Sequence, residues 1–241
     1  MRGKIPDAGL PLKVCGLTRE EDVRLCLDLG ARFTGFIFAP RSPRRILPGD
    51  AAAMPRGPAA RVGVFAGQDA AEVIRTLKQA RLDYAQLHGG EDEDFCRAVG
   101  PERIIKTIWP ERLGRDGALF RREDLEAECA RFAPVCAFFL LDAGLQGGGS
   151  GRPLAWGTLD GFAPPRPWIL AGGLGPDNLA QALAACSPWA VDCNSGVEKA
   201  PGRKDAGKLL DAAALLRASQ TGPRRGGTDE PGLRPGPRRG A

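Results

Sequence analysis

Short apolar runs recur along the chain, and between them the apolar residues fall at helical spacing. Eight runs read as strands: 12–15, 34–38, 61–65, 83–87, 103–108, 137–142, 168–171 and 190–193. Several are apolar throughout rather than alternating, as parallel strands covered on both faces are. Between the first two, Val23, Cys26, Leu27 and Leu29 form a helical stripe that stops at Gly30. Thr18 and Glu21 stand ahead of it at the spacing of a capping box. Asp69 is placed to cap a second helix with the stripe Val73, Ile74, Leu77 and Ala80. Stretches 91–99, 122–132, 176–185 and 204–218 read as further helices, with weaker patterns over 48–54 and 153–162. Strand and helix alternate through short links, which predicts βα units in series. Eight such units predict an α/β fold, a single (β/α)8 TIM barrel over 12–218 preceded by an N-terminal extension, 1–11. A doubly wound open sheet is the rival. Its dinucleotide-binding form is disfavoured, because no G-x-G-x-x-G follows the first strand.

Composition narrows the class. With 241 residues and 43% hydrophobic content, the chain can fill one such barrel. No apolar run approaches the roughly 18 residues of a membrane span, so no membrane partner is expected. The opening MRGKIPDAGLP lacks the apolar core of a secretion signal. Seven cysteines, an odd number without a C-x-x-C, predict free thiols in a reducing cytoplasm, neither a disulfide frame nor a zinc site. Net charge is +5, of which residues 219–241 supply +3 from five arginines, one aspartate and one glutamate. That segment is rich in glycine and proline and is expected to be a disordered tail. Its basic character raises nucleic-acid binding as an alternative. With no aromatic residue and no binding fold there, a solubilising extension is the expectation, and no nucleic-acid partner.

In a barrel, chemistry gathers at the C-terminal ends of the strands. The first strand ends at Cys15, the second leads into Arg44 and Arg45, the fourth ends at His88, and the sixth ends at Asp142. The seventh ends at Gly172-Gly173, and the eighth carries Asp192 and runs into Asn194-Ser195-Gly196. After the sixth strand comes a further glycine loop with Gly149, Ser150 and Gly151. Glycines let neighbouring N–H groups wrap an anion, and barrels commonly hold phosphate after strands seven and eight. These three loops form the candidate phosphate cradle. Cys26, Cys96, Cys129, Cys136 and Cys186 read as small buried hydrophobes, while Cys193 lies nearer the rim. Cys15 differs, because Lys13 points to the same face and its ammonium is expected to lower the thiol pKa. A carboxyl at the rim of an apolar strand, such as Asp142, is partly desolvated, which suits a general acid. A base and an acid around an anion site describe an isomerase that moves protons. His88, the only histidine, reads as lining the pocket. Arg44 is suited to grip a carboxylate or phosphate, whereas Arg45 reads as solvated. Asp192 is expected to pair with Lys13, whose charge would otherwise lie unpaired inside the barrel.

Eight blocks in order carry a family likeness: KVCGLT (13–18), GFIFAPRSPRRI (35–46), VGVF (62–65), LDYAQLHG (82–89), LLD (140–142), GGSGRPLAW (148–156), LAGGLGPDN (170–178) and DCNSGVE (192–198). Through them the chain resembles the phosphoribosylanthranilate isomerases of tryptophan biosynthesis over about residues 12 to 217. The resemblance implies the third step from chorismate to tryptophan, an Amadori rearrangement without cofactor or metal. The product is 1-(2-carboxyphenylamino)-1-deoxy-ribulose 5-phosphate. It implies Cys15 as the general base at C2′ and Asp142 as the general acid at the ring oxygen. It also implies Arg44 facing the anthranilate carboxylate, and the glycine loops holding phosphate. The implied partner is a small phosphoribosyl substrate, with monomer or homodimer left open. Three positions depart from the family pattern: Asn194 and Ser150 stand where serine and threonine are more usual, and Ala39 where a larger aromatic is common. A sister sugar-phosphate isomerase of histidine biosynthesis is the alternative, and it would be expected to carry a carboxylate at the position of Cys15.

Overall fold

The computed structural model describes residues 9–114, 120–142 and 156–219. Eight parallel strands close into a barrel in chain order. They are β1 (Leu12–Val14), β2 (Phe33–Ile37), β3 (Ala60–Phe65), β4 (Tyr84–Leu87), β5 (Ile104–Ile108), β6 (Phe138–Asp142), β7 (Trp168–Ala171) and β8 (Ala190–Cys193). Each lies within one residue of the run read from the sequence. A short antiparallel hairpin, β9 (Glu198–Ala200) and β10 (Arg203–Lys204), follows β8 and was not expected. Around the barrel stand α1 (Glu20–Asp28), α2 (Pro48–Ala53), α3 (Ala70–Gln79), α4 (Glu93–Val99), α5 (Arg122–Phe132), α6 (Leu179–Ala185) and α7 (Ala206–Ala218). The glycine loop with Gly149, Ser150 and Gly151, and all of the tail beyond Ser219, lie outside the described residues.

Asp69 caps α3 as its sequence position suggests, and Asp92 and Asp205 cap α4 and α7, which was not expected. Asp69, Asp92 and Asp205 each accept a first-turn backbone N–H, at 2.7, 2.8 and 3.0 Å. Gly30 takes a left-handed φ of 79° just past α1, the conformation that glycine adopts without strain. The capping box at Thr18 and Glu21 does not form. Arg19 occupies the cap position, and no side chain closes the first turn of α1. The Thr18 hydroxyl instead donates to the Gly202 carbonyl at 2.6 Å, tying the loop after β1 to the hairpin turn. Glu20, Glu21 and Asp22 supply the negative charge that favours a helix start. Several helices are shorter than their patterns. Asn178 accepts from Gly175 N–H and donates to the Gly173 carbonyl, so the chain turns before α6 begins at Leu179. Of 153–162, only the 3-10 turn Trp156–Leu159 is seen, and 153–155 lie outside the described residues. Lys204, read as the start of the last helix, belongs to β10.

Two apolar regions hold the fold. One lies between barrel and helices and includes Val14, Val23, Leu77, Phe139, Leu141 and Leu209. The other fills the lower barrel. There Phe33, Tyr84, Phe138 and Trp189 pack with ring centroids 5.2 to 6.1 Å apart, most of them edge to face. All four enter from even-numbered strands or from the residue just before one, the layering typical of barrel interiors. Above this aromatic floor the interior turns polar, with Lys13, Gln86, Thr107 and Asp192 buried. The floor packs the N-terminal end of the barrel, and those polar groups lie between it and the C-terminal mouth. Phe33 is fully buried at the centre of the floor. Phe33→Ala is therefore expected to cost about 3–5 kcal/mol, read from urea unfolding followed by tryptophan fluorescence. A loss under about 1 kcal/mol would show that the rings do not act as a unit.

Candidate active site

Strand register builds the first part of the mouth. Lys13 on β1 stands opposite Asp192 on β8. The Lys13 ammonium, wholly shielded from solvent, donates to Asp192 at 2.7 Å. Burial alone would lower the pKa of Lys13, but the charges of Asp192 and Cys15 outweigh it and hold the ammonium above its ordinary range. Asp192 spends one oxygen on this pair, and its other oxygen has no hydrogen-bond partner among the described residues.

Cys15 follows two residues after Lys13, on the same face, and is 4% exposed. Its backbone N–H donates to the Cys193 carbonyl at 3.0 Å, which continues the β1–β8 pairing to the rim. Gly35 on β2 makes room for it. A Cβ at Gly35 would sit 2.8 Å from the Cys15 sulfur, so any larger residue would displace the thiol. The electrostatic expectation is corrected here. Burial drives the thiol pKa above its ordinary value, and Lys13, with a smaller pull from Lys204, only partly offsets that rise. The sequence shows the cation but not the depth of the thiol. Cys193 is also corrected. It is fully buried among the residues between barrel and helices, with its thiol pushed up to about 12 by burial, and it faces away from the mouth. Cys26, Cys96, Cys129, Cys136 and Cys186 are buried and free, as expected.

Asp142 ends β6, three strands round the ring from β1, with its side chain 18% exposed. His88, just beyond β4, places Nε2 3.7 Å from an Asp142 oxygen. The Gln86 amide lies 3.4 Å from His88 Nδ1. If that amide donates, the ring proton sits on Nε2, toward Asp142. Burial lowers the His88 pKa more than the Asp142 charge raises it, so the ring is neutral at pH 7. Trp109 packs edge-on against His88 at 4.8 Å. Cys15, Ile37, Val64 and Ala39 form an apolar wall on the opposite side.

Arg44 does reach the mouth, while Arg45 is exposed as expected. Gly16 has a left-handed φ of 70°, and a Cβ there would lie 2.7 Å from Arg44 Cδ and 2.6 Å from Asn194 Oδ1. The arginine therefore crosses directly over the residue after Cys15. Its Nε and Nη2 bind Glu198 at 2.7 to 3.0 Å. Glu198 also accepts from Lys204 Nζ at 2.9 Å and from Gly202 N–H at 3.0 Å. Lys204 Nζ in turn donates to the Asn194 carbonyl and side-chain oxygens, at 3.1 and 3.0 Å. Burial would raise the Glu198 carboxyl, but the bonds from Arg44 and Lys204 hold it below the usual carboxylate range. Glu198 and Lys204 were missed in the sequence. The available signal was Pro201-Gly202, a turn pair flanked by charges.

The two described glycine loops meet backbone to backbone. A Cβ on Gly196 would lie 2.3 Å from the Leu174 carbonyl, and one on Gly175 would lie 2.4 Å from the Gly196 carbonyl. Gly172 and Gly173 both take left-handed φ values, 113° and 68°. Ser195 follows Asn194 on the same rim and opens the 3-10 turn Ser195–Val197. Close backbone approach of this kind forms the concave N–H surfaces that bind anions.

A closed parallel barrel with reactive side chains at its C-terminal strand ends defines the class: a (β/α)8-barrel enzyme. Comparison with known proteins makes it specific. The family description N-(5′phosphoribosyl)anthranilate (PRA) isomerase matches residues 12–212, and the chain belongs to that family. It is 51% identical over 213 residues to the N-(5′-phosphoribosyl)anthranilate isomerase of Desulfovibrio desulfuricans, covering 88% of this chain and 98% of that one. It is 46% identical over 207 residues to the protein of that name from Maridesulfovibrio salexigens, covering 86% and 98%. Among solved structures, phosphoribosyl anthranilate isomerase from Thermus thermophilus superposes with a TM-score of 0.67 at 37% identity, over 86% of this chain and 98% of that one. Another, crystallised with reduced 1-(o-carboxyphenylamino)-1-deoxyribulose 5-phosphate, gives 0.70 at 28% identity, over 87% and 99%.

Two outcomes follow from the site's electrostatics. Thiolate absorbance of the intact protein minus that of Cys15→Ala should titrate with a midpoint above the ordinary ~8.5. A Cys15 already ionised at pH 7 would show that the cations win over burial. Asp192→Asn leaves Lys13 as an unpaired buried cation and should cost about 3–5 kcal/mol in urea unfolding. An unchanged midpoint with unchanged activity would remove the pair from both fold and function.

Proposed function

We propose that this chain isomerises N-(5′-phosphoribosyl)anthranilate to 1-(2-carboxyphenylamino)-1-deoxy-ribulose 5-phosphate, with Cys15 as general base and Asp142 as general acid. The observation that carries the residue roles is the mouth itself: one thiol and one carboxyl project from β1 and β6 beside paired glycine loops. The reaction moves protons and needs no external oxidant. Asp142 protonates the ring oxygen, the furanose C–O bond breaks, and the nitrogen lone pair forms an iminium at C1′. The C2′ proton is now acidic, and Cys15 removes it. The resulting enolamine gains a proton at C1′ and loses its C2′ hydroxyl proton, so that the C2′ carbonyl of the amino ketone forms. Acid and base therefore act in sequence, which suits two groups on different strands.

Neutral His88 beside Asp142 orients that carboxyl and lines the pocket, and Arg44 faces the ring carboxylate of the substrate. Gly172, Gly173, Ser195 and Gly196 hold the phosphate, joined by the loop of Gly149, Ser150 and Gly151. Asn194, bound to Lys204, serves the shape of the loop more than the phosphate itself. Lys13 and Asp192 support Cys15 from below. Residues 12–218 carry the reaction, and the protein works in a reducing cytoplasm that suits its free cysteines.

Supplying phosphoribosylanthranilate and following loss of its aromatic fluorescence tests the activity. Cys15→Ala and Asp142→Asn should each lower kcat by about 10²-fold or more while the circular dichroism spectrum is retained. Full turnover in either variant would refute the role given to that residue.

A further inference from the structure

We propose that Glu198 is the positioning residue for Arg44. It occupies the Nε–Nη2 edge of the guanidinium and turns the Nη1–Nη2 edge toward the mouth for the substrate's ring carboxylate. The inference rests on the isomerase reading above and deepens it.

The geometry argues for this division of the arginine. A guanidinium carries five N–H donors in a rigid fork with two edges able to take a carboxylate side by side. Glu198 takes the lateral edge, through Nε at 3.0 Å to both its oxygens and Nη2 at 2.7 Å to one. No bond to Nη1 occurs among the described residues. The terminal edge thus remains for a second carboxylate. Cys15 lies within electrostatic range of Arg44, and Gly16 leaves space for the arginine's stem, so the arginine stands at the reaction mouth.

Charge argues the same way. Glu198 lies between two cations, Arg44 and Lys204, and its side chain is only 4% exposed. Lys208 adds a third cation, donating to the Glu198 carbonyl at 3.3 Å. Asp22 binds the backbone N–H of Lys204, not its ammonium. Arg44 and Lys204 thus share this one carboxylate as their hydrogen-bonded counter-charge. A glutamate whose only task was to neutralise Arg44 would need neither the second cation nor the Gly202 N–H that hold it in place.

The test is a double-mutant cycle on KM and kcat for phosphoribosylanthranilate. Glu198→Gln should raise KM about tenfold and change kcat less than about threefold, because ground-state and transition-state grip on the carboxylate weaken together. Arg44→Met should raise KM at least as much. In the Arg44→Met background, Glu198→Gln should add no further rise, since the residue acts through the arginine. Glu198→Asp keeps the charge beside buried Lys204 and so protects the fold. Being one methylene shorter, it should still raise KM. If Glu198→Gln does not fold, Glu198→Asp alone and in the Arg44→Met background decides the matter. A KM effect that persists undiminished without Arg44 overturns the proposal, as does a wild-type KM in Glu198→Asp. No turnover by the intact chain, or an unchanged KM in Arg44→Met, fails the isomerase reading itself.

Discussion

A fully buried ammonium must have a partner, and in this protein that need joins the two ends of the chain. Lys13 sits on the first strand and Asp192 on the eighth, 179 residues apart, and they meet at 2.7 Å inside the barrel. The contact exists only when β8 lies beside β1, that is, when the ring is closed. An open sheet of the same eight strands would strand the charge. Removing one charge from such a pair costs far more than the pair itself contributes, so the pair acts chiefly against alternative arrangements of the strands. It also stands directly below Cys15. The feature that specifies closure therefore also sets the field around the Cys15 thiol.

That field is a balance of opposed effects. Burial disfavours the thiolate and is the largest influence on Cys15, Lys13 and Lys204 favour it, and Asp192 opposes them. The net rise is compatible with a base that must take a proton from carbon. A thiolate of higher pKa is rarer at neutral pH but stronger, and Brønsted behaviour trades the one against the other. On the proposed mechanism the iminium at C1′ brings a positive charge close to the sulfur at the moment of proton transfer. The substrate itself then supplies part of the stabilisation that the thiolate needs.

The barrel was legible because its strands are buried on both faces. Runs such as Phe138–Asp142, apolar up to its final aspartate, and Trp168–Ala171 mark themselves in a way that half-exposed strands do not. The Asp69 cap was legible because the cap and the N–H it binds lie three residues apart in sequence. Thr18 was misread because a partner 184 residues away, the Gly202 carbonyl, competes successfully for the same hydroxyl. Glu198 and Lys204 were hidden for a related reason. A short polar hairpin has no hydrophobic period, and its value lies in which distant side chains it reaches. Catalytic candidates at strand ends could be located from topology, but the sign of the Cys15 shift could not. Neighbouring charge is visible in a sequence; depth is not.

The hairpin explains how a small mouth can hold a substrate that is anionic at both ends. Lys204 bonds to Asn194, which leads into the Ser195–Gly196 loop, and also to Glu198, which holds Arg44. One ammonium thus links the loop proposed for the phosphate to the arginine proposed for the carboxylate. The distance between the two grips is fixed by a few short bonds rather than by flexible side chains. A ligand held at both ends across a set span has little freedom left in its middle, and the middle is the ribose. Orientation of that kind can remove a large part of a reaction barrier, because reacting atoms are held near contact before any proton moves. On the proposed mechanism, C2′ then faces the thiol on one side and the ring oxygen faces the carboxyl on the other, and the two groups never need to touch.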